Sequence, residues 1–208
     1  MDSFIDPPRR IPLLPRLGIR IAEGRLRKRL LAARILSWYP KAAIGSGVME
    51  ALVAHESGGA TSRLLKLVRM QVSFSASCPF CIDLNSAEYA GERITQTEIE
   101  ALQGLRTAES VSSFSDPERT ALVYARALTA TPIRLESALI ARLKDQFTER
   151  EIVVLASTIG QVNFWTRTIQ GLGVRPEGFT ESCEILRLEE YSTLDRPDGG
   201  PTKAAPPQ

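Results

Sequence analysis

The sequence is short of the residues that most often announce a functional site. It has one histidine, His55, and three cysteines, Cys78, Cys81 and Cys183, in 208 residues. A single histidine excludes every site built on a histidine cluster. Three cysteines make no framework of the kind that staples small secreted domains. A structural zinc site commonly takes four ligands in two pairs, and beside Cys78 and Cys81 only the lone Cys183 and His55 remain. No segment approaches the ~20 apolar residues of a membrane helix. The N-terminus, with Asp2, Asp6, Pro7 and Pro8, lacks the basic-then-apolar order of a secretory signal. These absences together place the chain in a reducing cytoplasm, away from the membrane.

Charge of either sign nearly cancels, at a net +2. The basic residues are uneven, however. Arg9, Arg10, Arg16, Arg20, Arg25, Arg27, Lys28, Arg29 and Arg34 stand against Glu23 alone in that stretch. With aromatics at 6%, nothing interleaves with these cations as a base-stacking surface would. The stretch reads as a solvated face or an interface for acidic neighbours, not as a nucleic-acid site.

Alternation at period two is also missing, so strands are not indicated. Residues 1–18, with Pro7, Pro8, Pro12 and Pro15, read as an extended arm anchored by Ile11, Leu13, Leu14 and Leu17, of a kind that often packs on a neighbouring subunit. Helical spacing begins near Ile19 and runs through Ile21, Leu26, Leu30, Leu31 and Ile35 to Pro40. A second helix follows over 41–55, stopped by Gly58 and Gly59. A third, over 62–74, has apolar residues nearly all round and is expected to be central. A helix carrying Cys81 ends near Gly91. Three capping boxes then mark helix starts: Thr95 with Glu98, Ser115 with Glu118, and Thr148 with Glu151. Leu135 to Phe147 forms a further amphipathic helix, and a long apolar one runs from Ile152 to about Gln170. A short helix from Thr180 to about Tyr191 closes the domain. The chain is thus all-α, with eight or nine helices, as one domain over 19–191 and a Pro/Gly-rich, disordered tail over 192–208.

The stretch Ser77-Cys78-Pro79-Phe80-Cys81 carries the chemistry. Cysteines three apart share one helix face, so they can bond to each other or hold a metal jointly. Ser75, Ser77 and Pro79 suit a helix start, where free amides favour a thiolate. A second thiol nearby can then resolve a sulfenic acid or a mixed disulfide. The alternative is a pair of small, soft core side chains. Cys183 reads as a packed core residue, and Trp165 and Phe164 as core or interface. Asn163 and Arg167, at i and i+4, form either a buried polar tie between helices or the border of a thiol pocket. Asp83 lies about 200° around the helix from Cys81 and should face elsewhere.

The run 64–73 with Cys78-Pro79-Phe80-Cys81-Ile82-Asp83-Leu84-Asn85, and the later segment 151–174 with Asn163 and Arg167, resembles the carboxymuconolactone decarboxylase / alkyl hydroperoxidase D-like family over about 10–188. The resemblance implies an all-α fold and a homo-oligomer, dimer or hexamer, with no cofactor. It implies that Cys81 attacks a small hydroperoxide, that Cys78 resolves the product as a disulfide, and that an external dithiol reduces the pair. The family's proton relay is a Glu twelve residues before the first cysteine and a His four after the second. Here those positions are Lys66 and Asn85, which leaves His55 as the remaining histidine base. An inward-pointing Lys66 could stabilise a thiolate, and Asn85 can hydrogen-bond but not titrate. Two functions stay open: a thiol–disulfide oxidoreductase or peroxidase, and a non-enzymatic or redox-sensing homo-oligomer that keeps the fold. Lactone decarboxylation is disfavoured, since that branch lacks this cysteine pair.

Overall fold

The computed structural model describes residues 3–52 and 56–180. Among them are nine α-helices and no strand beyond one isolated bridge between Ser57 and Ala60. They are α1 (Leu13–Leu26), α2 (Leu31–Leu36), α3 (Pro40–Leu52), α4 (Ser62–Ser75), α5 (Pro79–Ser86), α6 (Gln96–Leu102), α7 (Asp116–Thr129), α8 (Ser137–Gln146) and α9 (Glu149–Gly171). His55, Cys183, the expected helix at 180–191 and the tail over 192–208 lie outside the described residues, apart from Thr180 itself.

Helix α4 is the axis of the bundle. Leu64, Leu65, Leu67, Val68, Met70, Gln71, Val72, Ser73 and Phe74 are all buried along it. One side packs with α7, α8 and α9 through Ala121, Ala125, Leu139, Leu143, Leu155 and Ile159. The other packs with α6 and the loops on either side of it through Ile94, Ile99, Leu102, Val111 and Phe114. The expected central helix is central because apolar residues cover most of its circumference, leaving only a narrow, partly buried polar stripe through Arg63, Lys66 and Arg69.

All three capping boxes form, each with reciprocal side-chain and backbone bonds. Each glutamate also reaches the start of α4 or the turn before it. Arg63 binds both Glu98 and Glu118, and Glu151 accepts the Gly59 amide. Gly58 has φ 56°, and a Cβ there would collide with the Glu151 carboxylate.

Three boundaries differ from the sequence expectation. The Pro-rich arm ends at Pro12, not at residue 18, because α1 begins at Leu13. Pro15 falls in its first turn, where the backbone amides have no intrahelical partner to lose. The single helix expected from residue 19 to Pro40 is two, broken where Arg27 takes a left-handed φ of 52°. Glu23 bridges the break by binding Arg34 and the Leu30 amide. Helix α5 stops at Ser86, and a 3₁₀ turn over Tyr89–Glu92 replaces its last turn. The arm meets its own chain: the Phe4 amide bonds the Leu172 carbonyl at 2.9 Å and Trp38 Nε1 bonds the Asp6 carbonyl at 2.8 Å.

Burial pushes the Glu98 carboxyl up, but the Thr95 amide, Arg63 and the Ser113 hydroxyl outweigh it and hold it below the usual carboxylate range. A depressed carboxyl contributes stability above the unfolded-state pKa of about 4.3 and loses it as pH falls through the folded value. Glu98→Gln is expected to be less stable than the parent at pH 7, with the gap closing below about pH 4. Urea unfolding at stepped pH measures both limbs, and a gap independent of pH would contradict the assignment.

Candidate active site

Cys78 and Cys81 are joined as a disulfide with Cα atoms 5.3 Å apart. The chain turns into α5 through Ser77, at φ 48°. Cys78 is the N-cap: its sulfur accepts the Cys81 amide at 3.4 Å, and Pro79 follows in the first turn. A proline there gives up no bond, and a sulfur at the cap receives an amide that would favour its negative charge. The first turn of α5 holds no acidic residue to oppose that effect.

Both cysteines are shielded, at 0% and 2% exposure. Their shell comprises Ala32 and Ile35 of α2, Phe80 of α5, Ile169 of α9, and Val174, with Leu31, Trp165, Leu172 and Phe179 packed around them. The segment after α9, residues 174–180, thus lies over the pair. Phe179 meets Phe80 edge-on, with ring centroids 5.9 Å apart.

Asp83 holds this cover. Its side chain is fully buried, and its two oxygens accept the amides of Glu177 at 3.0 Å, Gly178 at 2.7 Å and Thr180 at 2.9 Å. The sequence placed Asp83 on another face of the helix from Cys81 and assigned it no partner; the structure gives it three main-chain amides. Its partners lie more than ninety residues on and leave no local signature. Lys28 grips the same segment from outside, donating to the carbonyls of Glu177 and Gly178 and lying over the Phe179 ring.

The other predicted site residues fall into separate places. Asn85 donates to the Ser73 hydroxyl at 3.0 Å, and Ser73 in turn donates to the Arg69 carbonyl at 2.8 Å. That chain ends on a main-chain oxygen, not on a base. Lys66 does not point at the cysteines; it donates to the Ala87 carbonyl, at the opposite end of α5. Burial lowers its pKa, and Arg69 adds to that lowering. Asn163 donates to Thr129 at 3.2 Å and to Ile159 at 3.0 Å, tying α9 to α7. Arg167 is exposed. The α9 residues that do reach the cysteine shell are Trp165 and Ile169. Trp165 also donates to Glu50, which accepts from Gln161 and sits 3.7 Å from Arg69. No cluster of His, Cys, Asp and Glu fit to hold a metal occurs among the described residues.

No protein-family model matches the chain. The uncharacterized protein YnjA of Escherichia coli (strain K12) is 30% identical over 119 residues, which is 57% of this chain and 62% of YnjA. The debrominase Bmp8, solved as a cysteine-to-alanine variant with 2,3,4-tribromopyrrole, superposes with a TM-score of 0.69 at 18% identity over 92% of this chain and 98% of its own. The alkylhydroperoxidase AhpD core of a peroxidase-related protein from Ralstonia eutropha JMP134 gives 0.70 at 16% identity, over 86% and 95%. The fold is AhpD-like.

Lys66 thus caps the far end of α5 and Asn85 bonds Ser73. Neither supplies a carboxylate or an imidazole to the cysteines.

Asp83→Asn keeps the shape but turns one acceptor into a donor facing an amide. The expected loss of stability is about 2–4 kcal/mol. Reduction of the disulfide by dithiothreitol should accelerate at least about tenfold as the cover loosens. Thermal melts and alkylation kinetics read the two effects, and an unchanged reduction rate would show that 174–180 does not limit access.

Proposed function

We propose that the protein is a thiol–disulfide oxidoreductase that cycles Cys78 and Cys81 between dithiol and disulfide. The bonded pair at the start of α5, with the Cys78 sulfur receiving the Cys81 amide, carries this reading. The AhpD-like neighbours and a debrominase on the same fold support redox chemistry at this place.

The geometry also supports an order of events. In the family pattern a histidine relay activates the second cysteine. Here that relay is absent, and the cap amide favours the thiolate on Cys78. Cys78 S⁻ attacks a sulfur of a substrate disulfide, expelling the other sulfur as thiolate, or the terminal oxygen of a hydroperoxide, expelling alkoxide. Cys81 then displaces the attached sulfur, or the hydroxyl as water after proton transfer, and closes the Cys78–Cys81 bond. An external dithiol returns both thiols. With no base bonded to either cysteine among the described residues, hydroperoxide turnover is slow and exchange with disulfides is favoured.

Reduced protein is expected to lose two thiols on mixing with an organic hydroperoxide, slowly, and faster with a small disulfide. In a Cys183→Ser background, Cys81→Ser should retain the lower-pKa thiol, and Cys78→Ser should not. Stopped-flow kinetics with thiol counting by mass spectrometry decides. Thiols that react only after unfolding would instead establish the second reading, a non-enzymatic homo-oligomer, which the burial of both sulfurs favours.

A homo-oligomer is part of the proposal. Leu13, Leu17 and Ile21 of α1 and Ile44, Val48 and Leu52 of α3 repeat at i, i+4, i+8 on two helices in contact, and all are exposed with Trp38 and Tyr39. An apolar surface of this kind marks a subunit contact. Val48→Glu is expected to give a smaller species in light scattering while helix content stays constant. An unchanged mass would remove this face from the interface.

A further inference from the structure

A cavity of about 440 Å³ opens between the α1–α2 turn and residues 175–177. Its walls are Lys28, Arg29, Leu31, Arg175, Pro176 and Glu177. Half of those residues are cations, and none pairs with a carboxylate within 4 Å among the described residues. Lys28 is engaged with neutral carbonyls and an aromatic face. The guanidiniums of Arg29 and Arg175 make no hydrogen bond among the described residues, so both donor forks are open.

The acid in the wall does not neutralise them. Glu177 Oε1 accepts the Leu31 amide at 3.0 Å, while Oε2 is buried with no donor. Burial pushes this carboxyl up, and Asp83 and Glu23 add to the effect against the Leu31 amide and Arg29. A carboxyl that ionises reluctantly leaves the positive charge of the wall uncompensated. Leu31 and Pro176 complete the lining with apolar surface. The volume is that of a small-molecule site, and open guanidinium forks match carboxylate geometry.

We propose that this cavity binds a small organic carboxylate, with its anionic end between Arg29 and Arg175 and its apolar body against Leu31 and Pro176. Leu31 also packs on the shell of the disulfide, so the ligand and the cysteine pair share a wall. The proposal stands without the redox reading, because binding to the oxidised protein is what is measured.

The test is a titration of the full chain with hexanoate at constant ionic strength, followed by amide chemical shifts, with inorganic phosphate and hexanol as comparison probes. Saturable shifts are expected at residues 28–31 and 175–178. Hexanoate should bind more tightly than either comparison probe, since each lacks one half of the complement. Arg29→Gln and Arg175→Gln, both at exposed side chains, should each weaken binding about tenfold, the effect of losing one charge-assisted contact. Arg20→Gln, exposed elsewhere on α1, should leave it unchanged. The proposal is overturned by an absence of saturable shifts at these amides, by equal affinity for phosphate, by insensitivity to the two substitutions, or by equal sensitivity to Arg20→Gln.

Discussion

Three main-chain amides converge on the carboxylate of Asp83, and the surroundings of the disulfide depend on that convergence. Hydrogen bonds to a charged acceptor are worth about 1.5–3 kcal/mol each. Here they fasten a segment with few apolar anchors, Val174 and Phe179, onto the helix that carries the cysteines. Removing the carboxylate would take the acceptor from the Glu177 and Gly178 amides and leave the buried Thr180 amide without a partner. The segment then has reason to leave, and the sulfurs to become accessible. Shielding of the pair is therefore set from its own helix, two residues beyond Cys81.

The framework beneath is more rigid. Each capping glutamate satisfies its own helix start and also reaches across to the chain around α4: Glu98 and Glu118 to Arg63, Glu151 to Gly59. Caps that would ordinarily be local features become ties between α4, α6, α7 and α9. The cover over the disulfide, residues 174–180, lies outside these ties. The division suits a site whose chemistry requires occasional opening over a fixed floor.

What the sequence made legible follows the range of each interaction. Capping boxes are rules over three residues, and all three formed as expected. The central position of α4 was readable because its apolar residues nearly encircle it. The start of α1 was misplaced because Pro15 argues against a helix interior yet is harmless in a first turn. The break at Arg27 has no composition signal, since arginine is an ordinary helix former forced here into a left-handed conformation. The direction of Lys66 and the partners of Asp83 depend on chain segments 21 and 94–97 residues away, beyond any local pattern. The two cysteines were evident from spacing. Their cover, the capping role of Lys66, and the tie from Asn163 to α7 required the fold.

The cap on α5 has a consequence for chemical modification. The acceptor that starts this helix is a sulfur, and the same sulfur belongs to the bond that would be made and broken. Pro79 offers no amide in compensation. An adduct on Cys78, from an alkylating agent or a bulky mixed disulfide, would displace the acceptor and loosen the first turn of α5. Asp83 sits in that helix, one turn further on, and would carry the disturbance to Glu177, Gly178 and Thr180. A change confined to one atom would thus be transmitted mechanically to a segment ninety-odd residues distant in sequence, so that exchange of the amides there would record the chemical state of a cysteine to which they make no hydrogen bond.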